Sequence, residues 1–211
     1  MSHVFRVFAS SLGKKYIMAL TGLLLGGFLL VHAAGNSLIF QGREAFTAYA
    51  EHLHSFRLIL PTAGLLLLAI FLLHIVTGIS LFLSNRKAQG HRYAVSKSAT
   101  ETQAWIARTM PATGTTVLAF LLLHLGTVHF ADQAVPLADR ISQTLTDPLL
   151  AVLYAVGIAA LALHISHGFW SLTQTFGINH PRYNGLIKIC TYLVVILVSS
   201  LFIGIMFSFR R

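Results

Sequence analysis

Residues 58–83 read LILPTAGLLLLAIFLLHIVTGISLFL, twenty-six positions without a charge and with a single ionisable side chain, His74. Crossing the hydrocarbon core of a bilayer takes about 20 helical residues. The run shows no alternation and is far too long for a strand. In lipid a helix satisfies its own backbone hydrogen bonds, which an isolated strand cannot do. Four more runs of the same kind lie near 16–40, 111–131, 148–173 and 186–208. Pro61, Pro111 and Pro148 fall near the starts of the second, third and fourth runs, where a missing N–H costs little.

The composition agrees. Charged residues make up 10% of the chain and the mean hydropathy is +0.74, whereas a soluble domain carries roughly 25% charge. The reading is an all-α integral membrane protein, a single domain over 1–211, folded as a bundle of five transmembrane helices. Cys190 is the one cysteine, so neither a disulfide nor a cysteine-based metal site can form within one chain. The first apolar run is long and no short small-residue cleavage site follows it, so no cleaved signal peptide is expected.

A net charge of +9 would suggest nucleic acid in a soluble protein. In a membrane chain it reports orientation first, because Lys and Arg gather in cytoplasmic loops. One side of the bundle carries Arg6, Lys14, Lys15, Arg86, Lys87, Arg92, Lys97, Arg108, Arg182 and Lys188 against Glu101 alone. The other carries Arg43, Arg57, Arg140, Arg210 and Arg211 against Glu44, Glu51, Asp132, Asp139 and Asp147. The N-terminus is therefore expected in the cytoplasm and the C-terminus outside, with no nucleic-acid partner.

An ionisable residue within a span is costly and points to function. Four spans carry one at a corresponding depth. His32 lies 17 residues after Lys15, His74 lies 17 after Arg57, His124 lies 16 after Arg108, and His164 lies 17 after Asp147. At 1.5 Å per residue each stands roughly 25 Å beyond the charge at which its helix begins. Successive helices run in opposite directions, so His32 and His124 lie toward the outer side, and His74 and His164 toward the inner. Two histidines at each of two depths are what two bis-histidine haems stacked across a membrane require, imidazole being a common axial ligand to haem iron. Gly78 and Gly168 follow their histidines at i+4, and Gly35 follows His32 at i+3, on the ligand's own face. Such glycines either open room for a flat macrocycle or let helices pack closely.

Other histidines have weaker readings. His167, three places after His164 on nearly the same face, is the rival ligand, or a partner to a propionate or backbone carbonyl. His129 belongs near the outer interface. His52 and His54, beside Glu51, are either solvated loop residues or aids to quinone protonation. His3, His91 and His180 read as polar ends. Trp105, Trp170, Tyr16, Tyr93 and Tyr183 sit near span ends, where aromatic residues anchor helices at the interface.

The string Gly13-Lys14-Lys15, through Ala19-Leu20-Thr21-Gly22 to Leu30-Val31-His32-Ala33-Ala34-Gly35-Asn36, resembles the first helix of the succinate dehydrogenase/fumarate reductase cytochrome b subunits of the b558, five-helix, dihaem type. The likeness continues in Leu73-His74-Ile75-Val76-Thr77-Gly78 and in Arg108-Thr109-Met110 with Thr113-Gly114 before Leu123-His124-Leu125. It ends in His164-Ile165-Ser166-His167-Gly168-Phe169-Trp170 running to Gln174-Thr175-Phe176-Gly177. It covers nearly the whole chain. It implies two haems b, the outer held by His32 and His124 and the inner by His74 and His164. It also implies a flavoprotein partner with covalent FAD, an iron–sulfur subunit docked on the cytoplasmic face, and a quinone, often menaquinone, as electron partner in the cytoplasmic membrane of a bacterium. Some dihaem fumarate reductases have a glutamate two residues before the fourth-helix ligand; here that position is Ala162, so a proton path of that kind is not expected.

The resulting expectation is a membrane anchor and electron conduit. The chain has no dinucleotide fingerprint, so succinate would be handled by the flavoprotein. The basic stretch near 84–110 would dock the iron–sulfur subunit or serve orientation alone. Arg108, Lys14 and Lys15 are candidates to meet haem propionates, and the quinone would lie near the outer haem, close to 41–57. Two other classes remain at this point. One is the dihaem cytochrome b of a hydrogenase or formate dehydrogenase. The other is a histidine-lined transporter, which calls for ligands at one depth with carboxylates beside them.

Overall fold

A computed structural model describes residues 10–88, 101–178 and 180–210, with the side chains of 88 and 101–107 excluded. His3, Arg6, His91, Arg92, Tyr93, Lys97, Arg211 and the side chain of Trp105 fall outside the described residues. Seven α-helices are present among them: α1 (Ser11–Asn36), α2 (Arg43–Ser55), α3 (Ile59–Ala88), α4 (Glu101–His124), α5 (Leu137–Thr146), α6 (Pro148–Thr175) and α7 (Asn184–Phe209). A 3₁₀ turn, Ser37–Gln41, continues α1, and a π-helical turn, Leu125–His129, continues α4.

Five segments are long and apolar enough to cross a membrane: Ser11–Gln41, Ile59–Lys87, Arg108–His129, Pro148–Thr175 and Asn184–Phe209. They coincide with the five expected spans to within a few residues, and the chain is a five-helix membrane bundle. Local chemistry sets the ends. The Ser10 hydroxyl accepts the backbone N–H of Gly13 at 3.1 Å, and the Asp147 carboxylate accepts that of Leu150 at 2.9 Å with Pro148 at the first helical position, as N-caps do. Gly42 (φ 114°) turns the chain out of the first span in a conformation that residues with a side chain rarely adopt. One expectation fails here: α4 begins at Glu101, so Pro111 lies inside the helix and not at its start.

The outer connections are not loops. Each holds a short amphipathic helix, α2 and α5, lying across the end of the bundle expected to face outside, the outer end. Phe46 and Ala50 of α2 and Ala138 and Leu145 of α5 are buried. Phe46, Ala138 and Leu145 join Ile39, Tyr154, Ile158, Ile205, Met206 and Phe209 in the main apolar cluster, so the densest packing sits at the outer end. The two caps are tied by Arg43, which meets Asp139 at 3.2 Å and the Ala138 carbonyl at 3.1 Å. Ser142 of α5 donates to the carbonyl of Phe209 at 2.8 Å, fixing the end of α7.

α1 and α6 form the central seam. α3 packs on α1, α4 packs on α6, the two seam helices meet each other, and α7 lies against both. The order span, surface helix, span thus occurs twice, as α1–α2–α3 and as α4–α5–α6. The large exposed side chains of α3 and α7, among them Leu65, Leu66, Val76, Leu193 and Ile196, face where lipid would lie.

Candidate functional site: two pairs of imidazoles

Four histidines meet in two pairs. The rings of His32 on α1 and His124 on α4 stand 6.0 Å apart, centre to centre, with planes at 87°. Those of His74 on α3 and His164 on α6 stand 6.4 Å apart with planes at 77°. The helices bearing each pair are not close-packed neighbours; they approach each other through the imidazoles. Within α1 and α4 the distance from one pair's level to the other is set by the helix. Thr21, at the level of His74, precedes His32 by 11 residues, and Thr113, at the level of His164, precedes His124 by 11. Eleven residues are about three turns, or about 16 Å, so threonine and histidine share one face of each helix.

Each imidazole has a polar group at Nδ1. The Thr21 hydroxyl lies 3.0 Å from Nδ1 of His74 and itself donates to the Ile17 carbonyl at 2.8 Å. The Thr113 hydroxyl lies 3.4 Å from Nδ1 of His164 and donates to the Met110 carbonyl at 3.0 Å. The Tyr154 hydroxyl lies 3.3 Å from Nδ1 of His124 and 2.7 Å from the Thr127 hydroxyl, whose own proton goes to the Leu123 carbonyl at 2.9 Å. His32 is held most loosely: the Asn36 amide sits 3.5 Å from its Nδ1 while donating to its carbonyl at 2.7 Å.

Two further glycines make room for these rings. A Cβ on Gly22 would stand 3.4 Å from Cε1 of His74, and one on Gly114 would stand 3.3 Å from Cε1 of His164. Thr21-Gly22 and Thr113-Gly114 are thus equivalent cradles, with the hydroxyl at the nitrogen and the bare backbone under the ring. Of the glycines singled out by sequence, Gly35 faces the Tyr49 ring and Gly78 faces the Met18 side chain, so neither opens space for a macrocycle. Only Gly168 of the three looks onto open space. Gly157 carries no such signal along the chain, yet it matters here. The Phe120 ring lies directly over it and fills the place a Cβ would take, and that ring in turn packs on His124 and Tyr154.

The donor set, two imidazole pairs, is of a kind that would suit two haems. An imidazole nitrogen bonds a first-row metal at about 2 Å and the ring centre lies roughly 1 Å beyond, so two rings trans across one metal stand about 6 Å apart. Both pairs do. Three of the four Nδ1 atoms face hydroxyls whose protons are already committed. With the threonine hydroxyls donating to the carbonyls, Nδ1 would carry the hydrogen and Nε2 the lone pair, the arrangement a metal-ligating histidine with an oriented outer partner needs. Among the described residues no cluster of three or more His, Cys, Asp or Glu side chains could hold a bare metal ion.

The remaining candidates separate. His167 is 2% exposed and stands three residues after His164, as Thr77, 6% exposed, stands three after His74. His129 is exposed beyond the outer pair. His52 packs on Phe56, and His54 turns its Nδ1 to the Ala50 carbonyl at 2.7 Å. Lys14 donates to Ser80 at 2.8 Å, while Lys15 and Arg108 are exposed. Lys188 lies over the Trp170 ring, and Tyr16 packs on Phe176.

The chain is similar to the succinate dehydrogenase cytochrome b558 subunit of Bacillus subtilis (strain 168). The two are 26% identical over 190 residues, which cover 88% of this chain and 90% of that protein. The identity is modest and the extent nearly complete. No family model matches the chain, and no solved structure matches it.

Proposed function

We propose that the chain is the dihaem cytochrome b membrane anchor of a succinate:quinone oxidoreductase. Its outer haem would be held by His32 and His124 and its inner haem by His74 and His164. The observation that carries this reading is the pair of imidazole couples, with ring centres 6.0 and 6.4 Å apart, stacked at two levels of one bundle. The full-length likeness to a succinate dehydrogenase cytochrome subunit supports the choice of complex. When bound, haem supplies one-electron chemistry, and the protein contributes geometry and environment.

The chain's own residues have separable tasks. The four imidazoles hold the groups, Thr21, Thr113 and Tyr154 orient three of them, and α2 and α5 close the outer end against water. The cationic inner surface, including Lys14, Lys15, Arg86, Lys87, Arg108, Arg182 and Lys188, would face the cytoplasm. There it would dock an iron–sulfur subunit that passes electrons between an FAD-bearing flavoprotein and the haems. The quinone, menaquinone in this reading, would be served near the outer pair. The chain would then act as one domain in a bacterial cytoplasmic membrane, with its N-terminus inside. The direction of turnover, succinate oxidation or fumarate reduction, is a property of the whole complex.

The test is the haem content of the purified chain, read from its reduced-minus-oxidised spectrum. Two b-type haems per chain are expected; a colourless protein from haem-replete cells would overturn the reading. Subunits that copurify distinguish this complex from a hydrogenase or formate dehydrogenase.

A further inference from the structure

We infer that Thr21 and Tyr154 are positioning residues that each set the tautomer and plane of one haem-ligating imidazole, Thr21 for the inner site through His74 and Tyr154 for the outer site through His124. The assignment rests on the proposed haem ligation and adds to it the groups that act behind the ligands.

The argument is one of hydrogen-bond accounting. A hydroxyl has one proton to give and two lone pairs to receive with. Thr21 is 4% exposed, and its proton goes to the Ile17 carbonyl at 2.8 Å, with the Met18 carbonyl next at 3.2 Å. With the proton so placed, it accepts from His74 Nδ1, 3.0 Å away. The Tyr154 case reaches the same end by a longer chain. Thr127 stands 2.9 Å from the Leu123 carbonyl; with its proton donated there, the 2.7 Å contact between Thr127 and Tyr154 takes the phenolic proton. The Tyr154 oxygen is left to accept from His124 Nδ1 at 3.3 Å. In both cases the ring hydrogen is pinned at Nδ1, which leaves Nε2 free to ligate.

An acceptor at Nδ1–H also makes the imidazole a more basic ligand, which favours the oxidised metal. The two acceptors are not equal. The Thr21 contact is shorter, and an aliphatic hydroxyl oxygen is a better acceptor than a phenolic one, so the inner site receives the stronger push. Thr113 repeats the Thr21 arrangement for His164 at 3.4 Å, with correspondingly less effect. Neither threonine nor tyrosine touches the cofactor in this scheme; each works through a histidine.

The experiment uses the full-length chain with its haems bound and compares wild type with Thr21→Val, Thr21→Ser and Tyr154→Phe. The readouts are haem content, the two midpoint potentials, and the largest g-value of each low-spin ferric signal, which follows the angle between ligand planes. Thr21→Val is expected to raise the inner midpoint and move the inner g-value, with the outer haem unchanged. Thr21→Ser should return both to wild-type values. Tyr154→Phe should do the reverse, moving the outer haem alone. Loss of the inner haem in Thr21→Val with retention in Thr21→Ser would equally support a need for the hydroxyl. The assignment is overturned if Thr21→Val is silent, if it moves both haems alike, or if Thr21→Ser behaves as Thr21→Val does. A wild-type chain that binds no haem would overturn the proposed function itself, an outcome separate from a haem-bearing wild type with silent variants.

Discussion

At the scale of single residues, the four ligand positions make the sharpest predictions. His74→Ala or His164→Ala should remove the inner haem and leave the outer one, and His32→Ala or His124→Ala should do the converse. His167→Ala should keep both, since in the proposed function His164 is the ligand on α6. Optical spectra with redox titration distinguish these outcomes, and a His167 variant that lost one haem would reverse the choice on α6. The near-perpendicular ring planes lead to a second expectation, a highly anisotropic low-spin ferric signal in place of the rhombic one that parallel planes produce. Gly157→Ala should drive Phe120 off the α6 backbone at a cost of about 1–3 kcal/mol and disturb the outer haem, because that ring abuts His124 and Tyr154. Gly168→Ala, with nothing near its Cβ position, should fold as wild type does.

At the scale of elements, α2 and α5 hold the outer end by burial more than by charge. Arg43 and Asp139 are about half exposed, and such a pair contributes about 0.2–1 kcal/mol. Phe46 is buried against the Phe209 ring, and truncating a buried Phe to Ala costs about 3–5 kcal/mol. Thermal unfolding in detergent should therefore show a large loss for Phe46→Ala and a small one for Arg43→Ala. These two helices do leave a trace in the sequence: Leu137, Ile141 and Leu145 recur at helical spacing, as do Phe46, Ala50 and Leu53. The long spans overshadow them, since a run of some twenty apolar residues needs no partner to declare itself and a ten-residue amphipathic helix does. The glycines show a different limit. Spacing tells which face a residue lies on, and not what faces it, so it leaves Gly35 and Gly78 open between cofactor room and close packing; Tyr49 and Met18 stand against them. Gly22 and Gly114 have a detectable signal, the Thr-Gly pair that begins 11 residues before a histidine in two spans. Tyr154 has none, because no pattern along α6 says that its hydroxyl meets a ring on α4.

At the scale of the whole molecule, five spans and two histidine depths follow from the apolar runs and the charges that bound them, and the bundle reproduces both. The orientation is open to direct test. A periplasm-dependent reporter fused after Arg210 should be active, and the same reporter inserted within 84–110 should be silent, because ten cations crowd the inner side while the outer side is neutral. The opposite pattern would invert the bundle and move the proposed docking face outside.

The shared face of α1 and α4 has a further consequence. In the proposed function each of these helices would carry a ligand for one haem and the threonine cradle for the other, so filling of the two sites would be coupled. Seating one haem would then fix the rotation and height of both helices and prepare the second site in advance. Haem added to the cofactor-free chain should bind sigmoidally, and a chain stripped of an outer ligand should hold its inner haem more weakly than wild type although every inner contact is intact. Maturation in the membrane would then be close to all or none, with few singly loaded chains at any time.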